Sequence, residues 1–246
     1  MTNTENKEIK KSKKKKKKKL KNAVYNVLLV VLLCICAFSG YQIIKIYVNN
    51  ANAKKVQTET SLRVIPEVSA APEVETQYET MFNETLAQND DFIGWLVFDS
   101  GLLNVTVVQG ETNDSYLRRN FYKQYDVNGT IFQDAQQDLN GTNITIYGHY
   151  IYSDASLMFS PLEQLKNQAN YEANKTFHLY LENEVRDYTV CAVADYDTRT
   201  QNVHYEYGNF DEASWNGFYD LMVNRSLYNT GVTVTSADHF VTLQTC

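Results

Sequence analysis

A cysteine at the end of a predicted strand is the residue of this chain best suited to chemistry. Cys246 follows the run 241–245, whose hydrophobic and β-branched residues predict a strand. A thiol attacks a carbonyl as the thiolate, and a nearby imidazole can hold that thiolate in an ion pair or shuttle its proton. The sequence therefore predicts nucleophilic thiol chemistry, with Cys246 as the nucleophile and a histidine as its partner.

The best candidate for that partner is His149. The chain contains four histidines, His149, His178, His204 and His239. His149 follows the hydrophobic run 143–147 and Gly148, so a strand ending in a glycine turn can present its imidazole. His239 opens the same strand as Cys246, and seven residues at 3.3 Å each separate them by about 23 Å, too far to cooperate. The other two are expected on an exposed strand face and in a loop.

A third group should stabilise the oxyanion that forms when a thiolate attacks a carbonyl. A buried arginine would serve, and the candidates are Arg118, Arg119, Arg186, Arg199 and Arg225. A metal site is the weaker interpretation, because one cysteine and scattered histidines show no short ligand spacing. The sequence predicts neither a metal nor a cofactor.

Seven short β-branched and aromatic runs predict the strands that position these residues: 95–98, 105–109, 129–133, 143–147, 176–181, 186–194 and 239–243. Three stretches predict helices, namely 76–89, 157–168 and 211–224. Asp154 or Ser156 could cap the second helix, and Asp211 the third. The pattern predicts a mainly antiparallel β-barrel or sandwich with inserted helices.

The N-terminus combines a basic run with an apolar one. Eleven lysines lie between Lys7 and Lys21, and the 22 residues 23–44 carry no formal charge. About 20 apolar residues span a bilayer as a helix, and preceding lysines favour a cytoplasmic N-terminus. The sequence predicts an uncleaved single-pass anchor, with the lysines on anionic lipids. A cleaved signal peptide is the main alternative, with a weak candidate site at 51–53.

Charge and cysteine usage describe the rest of the chain. Of its 29 acidic residues, 27 follow the apolar segment, so the body is strongly negative and nucleic-acid binding is not expected. Cys34 and Cys36 lie in the apolar segment, which leaves Cys191 and Cys246 and no disulfide framework. We predict a disordered basic cytoplasmic tail (1–22), a transmembrane anchor (23–48), a stalk (49–75) and an extracellular catalytic domain (76–246).

The body contains an ordered set of short motifs. They are Asp-Phe-Ile-Gly-Trp-Leu at 91–96, Val-Val-Gln at 107–109 with Asn113 and Leu117, Gly-Thr-Ile-Phe at 129–132, Tyr147-Gly148-His149, and Thr-Leu-Gln-Thr-Cys at 242–246. This set resembles the class B sortases, cysteine transpeptidases of Gram-positive bacterial surfaces, whose TLxTC motif the last segment matches. The helix expected near 211–224 is a further class B feature. Any one motif is weak, but the ordered set with an N-terminal anchor is specific.

The resemblance implies a sortase-like closed β-barrel and a transpeptidation. Cys246 would attack the carbonyl after Thr in an NPxT-like C-terminal sorting signal, with His149 as acid/base partner. A peptidoglycan amine would then resolve the thioacyl enzyme, fixing a surface protein to the cell wall. By position, Asn113, Leu117, Tyr147 and Gln244 would contact the peptide.

The chain departs from the family pattern at two places. Thr106 stands where the family has a proline. The family continues past the cysteine into a last strand with an essential arginine, and this sequence ends at Cys246. We therefore expect a truncated, impaired version of the enzyme. The alternatives are a membrane-anchored peptide-binding pseudoenzyme and a surface cysteine hydrolase, in which water replaces the amine.

Overall fold

The computed structural model describes residues 3–63, 72–196 and 208–245. The predictions made for Arg199, His204 and Cys246 lie outside the described residues, as does the middle of the predicted stalk. The chain divides into two compact units, Met1–Val48 and Asn49–Cys246. The finer division into tail, anchor, stalk and catalytic domain stays a prediction.

The N-terminal unit is helical. Helix α1 runs Asn3–Thr60 and thus enters the second unit. It includes most of the basic tail, so the expectation of a disordered tail is wrong, because lysine is a good helix former. The described part of the chain holds one helix apolar enough to cross a membrane, and none of its most apolar window is buried. This is consistent with a membrane anchor and unlike the core helix of a soluble protein.

The second unit is built on one mixed sheet, whose strand order is β6-β5-β1-β2-β3-β4-β7. The strands are β1 Phe92–Phe98, β2 Asn104–Val108, β3 Phe132–Gln133, β4 Asn143–Gly148, β5 Thr176–Tyr180, β6 Val185–Thr189 and β7 Phe240–Thr245. Two pairs, β2–β3 and β4–β7, are parallel, and the other four are antiparallel. The predicted mainly β, barrel-type fold with inserted helices is confirmed as a nearly closed mixed barrel.

Two predicted strands are longer than the observed ones. The run 129–133 forms a strand only at Phe132–Gln133, because Thr130 N donates to the Tyr116 carbonyl in a loop. The run 186–194 is β6 only as far as Thr189. Beyond Thr189 the chain leaves the sheet: the Val193 N–H donates to Ser226 Oγ, and the Val193 carbonyl accepts from Leu227 N.

Strand β1 is buried on both faces, which explains why its sequence is hydrophobic at successive positions and does not alternate with polar residues. Leu96 and Phe98 belong to the core inside the barrel, while Trp95 and Val97 belong to a second core on the outer face. Successive strand residues point to opposite faces, so both faces of β1 are covered. Trp95 is fully buried and its indole N–H donates to the Thr60 carbonyl at 2.8 Å.

The helices cover that outer core and the β7 side. Helix α2, Pro72–Gln88, places Phe82 against Trp95 with ring centroids 5.8 Å apart. Helix α3, Glu212–Tyr219, begins at Asp211, which accepts a hydrogen bond from Ser214 N as predicted for its cap. Residues 220–224 add one π-helical turn.

The second predicted helix, at 157–168, is a 3-10 helix over Ser160–Lys166. The prediction that Asp154 or Ser156 caps it is wrong: the residue before it is Phe159, without a side-chain cap. The helix starts late because Pro161 occupies its first turn, where the missing N–H costs nothing. Asp154 instead accepts from Ser156 in the preceding turn.

Candidate functional site

The parallel pair β4–β7 positions the two ends on which the predicted chemistry depends. Its register runs from Asn143 opposite Phe240 to Gly148 opposite Thr245. His149 follows Gly148 directly in the sequence, and Cys246 follows Thr245. Strands that run in the same direction end at the same edge of a sheet, so the strand leading to Cys246 ends beside the strand leading to His149.

The imidazole of His149 is half-buried and held by a backbone carbonyl. Its Nε2 lies 2.9 Å from the oxygen of Leu117. A carbonyl oxygen only accepts hydrogen bonds, so Nε2 carries the proton in this contact. Nδ1 has no hydrogen-bond partner among the described residues. The neutral ring therefore has Nδ1 free to accept a proton, which is the arrangement a general base requires.

The loop that carries Leu117 packs closely on Gly129. This glycine has a positive φ of 66°, and a Cβ there would lie 2.8 Å from the Leu117 oxygen. Only glycine meets both demands without strain. The Gly-Thr-Ile-Phe run singled out in the sequence thus supports the loop beneath His149, with a strand only at its end.

A buried carboxylate joins two of the predicted peptide-contacting side chains. Asp134 Oδ2 accepts from Asn113 Nδ2 and from Tyr147 Oη, each at 2.9 Å. Asn113 Oδ1 in turn accepts from Ala135 N at 2.8 Å. The sequence interpretation missed Asp134. Its only signal was a carboxylate directly after the predicted strand 129–133.

The fourth predicted contact, Gln244, lies opposite Tyr147 on β7. It lines an open cleft of about 450 Å³ between the edge strands β6 and β7, together with residues 190–196 and 232–234. The hydroxyl Oγ1 of Thr245, also on this lining, is buried and has no described partner. The structure thus gathers Asn113, Leu117 and Tyr147 around His149 and Asp134, with Gln244 on the adjacent strand.

The predicted arginines differ in what they contact. Arg186 bonds Glu184 and the Leu139 carbonyl, and Arg225 pairs with Asp220. Arg118 and Arg119 are exposed and directly follow Leu117, and neither forms an ion pair with a described residue. Among the described arginines, these two are nearest in sequence to Leu117, whose carbonyl contacts His149.

The remaining described histidines lie elsewhere. His239 precedes β7 and its Nδ1 is 3.4 Å from the Gly141 carbonyl. His178 on β5 lies between two carboxylates, with Nδ1 at 2.7 Å from Asp187 and Nε2 at 2.6 Å from Asp99. Carboxylates only accept hydrogen bonds, so both ring nitrogens are protonated in this arrangement. Partial burial opposes the charge, but the bonds to Asp187 and Asp99 outweigh it together and raise the pKa of His178.

We expect this charged histidine to make stability depend on pH. A raised pKa in the folded state stabilises the protein fully below the unfolded value of 6.5, and the effect is lost as pH rises through the folded pKa. Replacement of His178 by Gln should therefore lower the melting temperature more at about pH 5.5 than at about pH 9. The hydrogen bonds from Thr176 and then His178 lower the carboxyl pKa of Asp99. Protonation of Asp99 therefore changes the stability of the protein only in more acidic solutions.

Thermal melts of the wild type and of His178→Gln at these two pH values provide the measurement. His239→Gln is the matched control, because a carbonyl and not a carboxylate faces that ring. Its difference from wild type should depend less on pH than that of His178→Gln, because no carboxylate bonds this ring among the described residues. An equal loss for His178→Gln at both pH values would contradict a protonated His178.

Comparison with known proteins gives consistent matches in sequence and in fold. No protein-family model matches the chain. The chain is similar to sortase B of Staphylococcus aureus, with 28% identity over 229 residues, covering 91% of this chain and 88% of that protein. Among solved structures, a mutant form of Clostridium perfringens sortase B has a TM-score of 0.67 and 26% identity, over 79% of this chain and 89% of that one.

A second solved structure is of a Staphylococcus aureus sortase B–substrate complex. Its TM-score is 0.65 and its identity 25%, over 80% of this chain and 87% of that one. These similarities extend over 87–89% of each relative.

Proposed function

Because this chain belongs to the class B sortases and is a cysteine transpeptidase of that type, we propose that it cleaves an NPxT-like sorting signal after Thr and joins the acyl group to a peptidoglycan amine. Cys246 is the proposed nucleophile and His149 the proposed acid/base residue. The partners are surface proteins that bear the signal and the amine of a cell-wall precursor.

The register of β4 and β7 carries this proposal. Gly148 and Thr245 are the last paired residues, and each immediately precedes one of the two proposed catalytic residues. The contact of His149 Nε2 with the Leu117 carbonyl supports the same assignment, since it leaves Nδ1 for proton exchange. One of the similar solved structures is a Staphylococcus aureus sortase B–substrate complex, which supports the presence of a substrate site in this fold.

The proposed reaction proceeds in two balanced steps. The thiolate of Cys246 adds to the Thr carbonyl carbon, the C–N bond breaks, and protonated His149 gives its proton to the leaving amine. A thioacyl enzyme remains. The acceptor amine then adds to the thioester carbon, the C–S bond breaks, and His149 takes the proton from the amine as the thiolate leaves. No oxidant, metal or cofactor enters either step.

The peptide contacts follow from the same framework. We assign Asn113, Leu117, Tyr147 and Gln244 to the surface that receives the sorting signal. The amide of Asn113 is already engaged at both ends, by Asp134 and Ala135 N. Its remaining N–H and acceptor lone pair are what it offers to a peptide. The ring of Tyr147 packs against Phe132 at a tilt of 32°, with ring centroids 5.3 Å apart.

The apolar part of α1 supports a location at the cell membrane. We propose one membrane span, with the lysine-rich N-terminus on the cytoplasmic side, where it contacts anionic lipids. The catalytic unit is then extracellular, on the side where the cell wall is assembled. A Gram-positive cell surface is the setting that this arrangement fits.

A fluorogenic sorting peptide, incubated with the full chain in detergent, tests the proposal. We expect a thioacyl adduct on Cys246 by intact mass, and a ligated product only when an amine acceptor is present. Product formation that is independent of the amine would indicate a hydrolase, and peptide binding without an adduct would indicate a pseudoenzyme. Either result would contradict transpeptidation.

A further inference from the structure

Asp134 is a buried carboxylate that takes part in neither step of the proposed reaction. The residue is 6% exposed, and no lysine or arginine forms an ion pair with it among the described residues. It is instead surrounded by donors: Asn113 Nδ2 and Tyr147 Oη reach Oδ2, and Gln136 N donates to Oδ1 at 2.9 Å. Hydrogen bonds to a charged group are stronger than neutral ones.

These bonds join three separate segments. Asn113 lies in the loop after β2, Asp134 directly follows β3, and Tyr147 lies on β4 two residues before His149. The main chain of Asp134 adds to the connection, because its N–H donates to the Thr145 carbonyl of β4 at 2.9 Å. Asp134 is therefore fastened to β4 by its backbone and to the loop by its side chain.

The loop fastened in this way also holds the imidazole. Residues 112–118 contact Asp134 at Asn113 and His149 at Leu117, whose carbonyl lies 2.9 Å from Nε2. A shift of this loop would move the acceptor that fixes the ring. We propose that Asp134 is a positioning residue, which fastens the 112–118 loop to β4 so that the Leu117 carbonyl keeps His149 in one orientation. Its consequence for catalysis rests on the proposed function of His149.

An exchange of side chains tests the proposal sharply. In Asp134→Asn, an amide nitrogen in the place of Oδ2 meets the amide nitrogen of Asn113, so two donors face each other. The double variant Asn113→Asp with Asp134→Asn restores a donor–acceptor pair, still accepts from Ala135 N, and keeps the net charge. Asp138→Asn is the matched control, because Asp138 Oδ1 makes the same turn contact, with Asn140 N at 2.8 Å, and no contact with the loop.

Two measurements distinguish a role of Asp134 in positioning His149 from a role only in the stability of the fold. The first is the rate of thioacyl formation with a sorting peptide. We expect Asp134→Asn to lower it about ten- to a hundredfold and Asp138→Asn to change it less than about twofold. The exchange variant is judged by the second measurement, because Asn113 is also assigned to the peptide surface. The second is the imidazole N–H proton resonance of His149, assigned by its loss in His149→Gln. It should be sharp in wild type and the exchange variant, and broadened by solvent exchange in Asp134→Asn.

The outcomes distinguish this inference from the proposed function. A wild-type protein that forms no thioacyl adduct overturns the proposed function, while the N–H resonance still decides the role of Asp134. Unchanged rates and an unchanged resonance in Asp134→Asn overturn the positioning role. So does an exchange variant that regains the melting temperature but not the resonance. If Asp134→Asn does not fold, Asn113→Ala and Tyr147→Phe each remove one bond to Asp134, and each should broaden the His149 resonance to an intermediate extent.

Discussion

Replacement of His149 by Gln is expected to slow thioacyl formation by about 10²- to 10⁴-fold, the usual contribution of general acid–base catalysis. The glutamine amide can still donate to the Leu117 carbonyl, which lies 2.9 Å from Nε2 in the wild type. It cannot take up and return a proton, so the substitution removes the chemistry and leaves the loop contact. Quenched mixing of protein with a sorting peptide, followed by intact mass, measures the rate.

A second measurement avoids turnover altogether. In the proposed pairing the imidazole of His149 would favour the thiolate of Cys246, so His149→Gln should also slow alkylation of that thiol by iodoacetamide at neutral pH. His178→Gln is the matched control, because β5 is four places from β4 in the sheet. Its rates should equal those of wild type near pH 7. A loss below about tenfold in His149→Gln would limit His149 to a structural role.

The strands of the barrel could be predicted because their buried side chains are hydrophobic, and this pattern is visible in the sequence. The run of β1 is hydrophobic on both faces, and both faces are buried. The predicted strands 129–133 and 186–194 were too long where hydrogen bonds connect segments distant in sequence. Thr130 bonds a loop carbonyl and Val193 bonds the segment at 226–227. Neither residue differs in type from one in a strand, so local pattern carries no sign of the change.

The site was predictable to the extent that its residues lie at strand ends. His149 could be chosen because a hydrophobic run and a glycine precede it. Asp134 could not be chosen, because Asp138 lies four residues further on in an equally polar turn. Both cap a turn with Oδ1, and only Asp134 also receives side chains from the loop and from β4. That difference exists only in the folded chain.

Replacement of Gly148 by Ala is expected to impair both stability and chemistry. The φ of Gly148 is not positive, so its backbone conformation suits alanine. The obstacle is space, since a Cβ would lie 2.5 Å from the Phe159 ring and 3.1 Å from Ile131 Cγ1. Overpacking of this kind costs about 1–3 kcal/mol, and each kcal/mol lowers the melting temperature of a domain of this size by about 2–4 °C.

The same displacement should reach His149, because the Phe159 N–H donates to the His149 carbonyl at 3.1 Å. Thioacyl formation should therefore slow in Gly148→Ala even at temperatures where the variant is fully folded. Gly208→Ala is the matched control: its φ is also unstrained, and its nearest contact would be an ordinary 3.4 Å to Gln137 Cγ. It should melt within about 1 °C of wild type, because a surface change of this kind has little effect on stability.

Phe159→Leu then tests the cause. The smaller side chain leaves a cavity when introduced alone and should be destabilising. Combined with Gly148→Ala it makes room for the new methyl group, so the two losses in unfolding free energy should be less than additive by about 1 kcal/mol or more. Recovery of the thioacyl rate in the double variant would attribute the defect to the contact between Gly148 and Phe159. Strictly additive losses would place its cause elsewhere along β4.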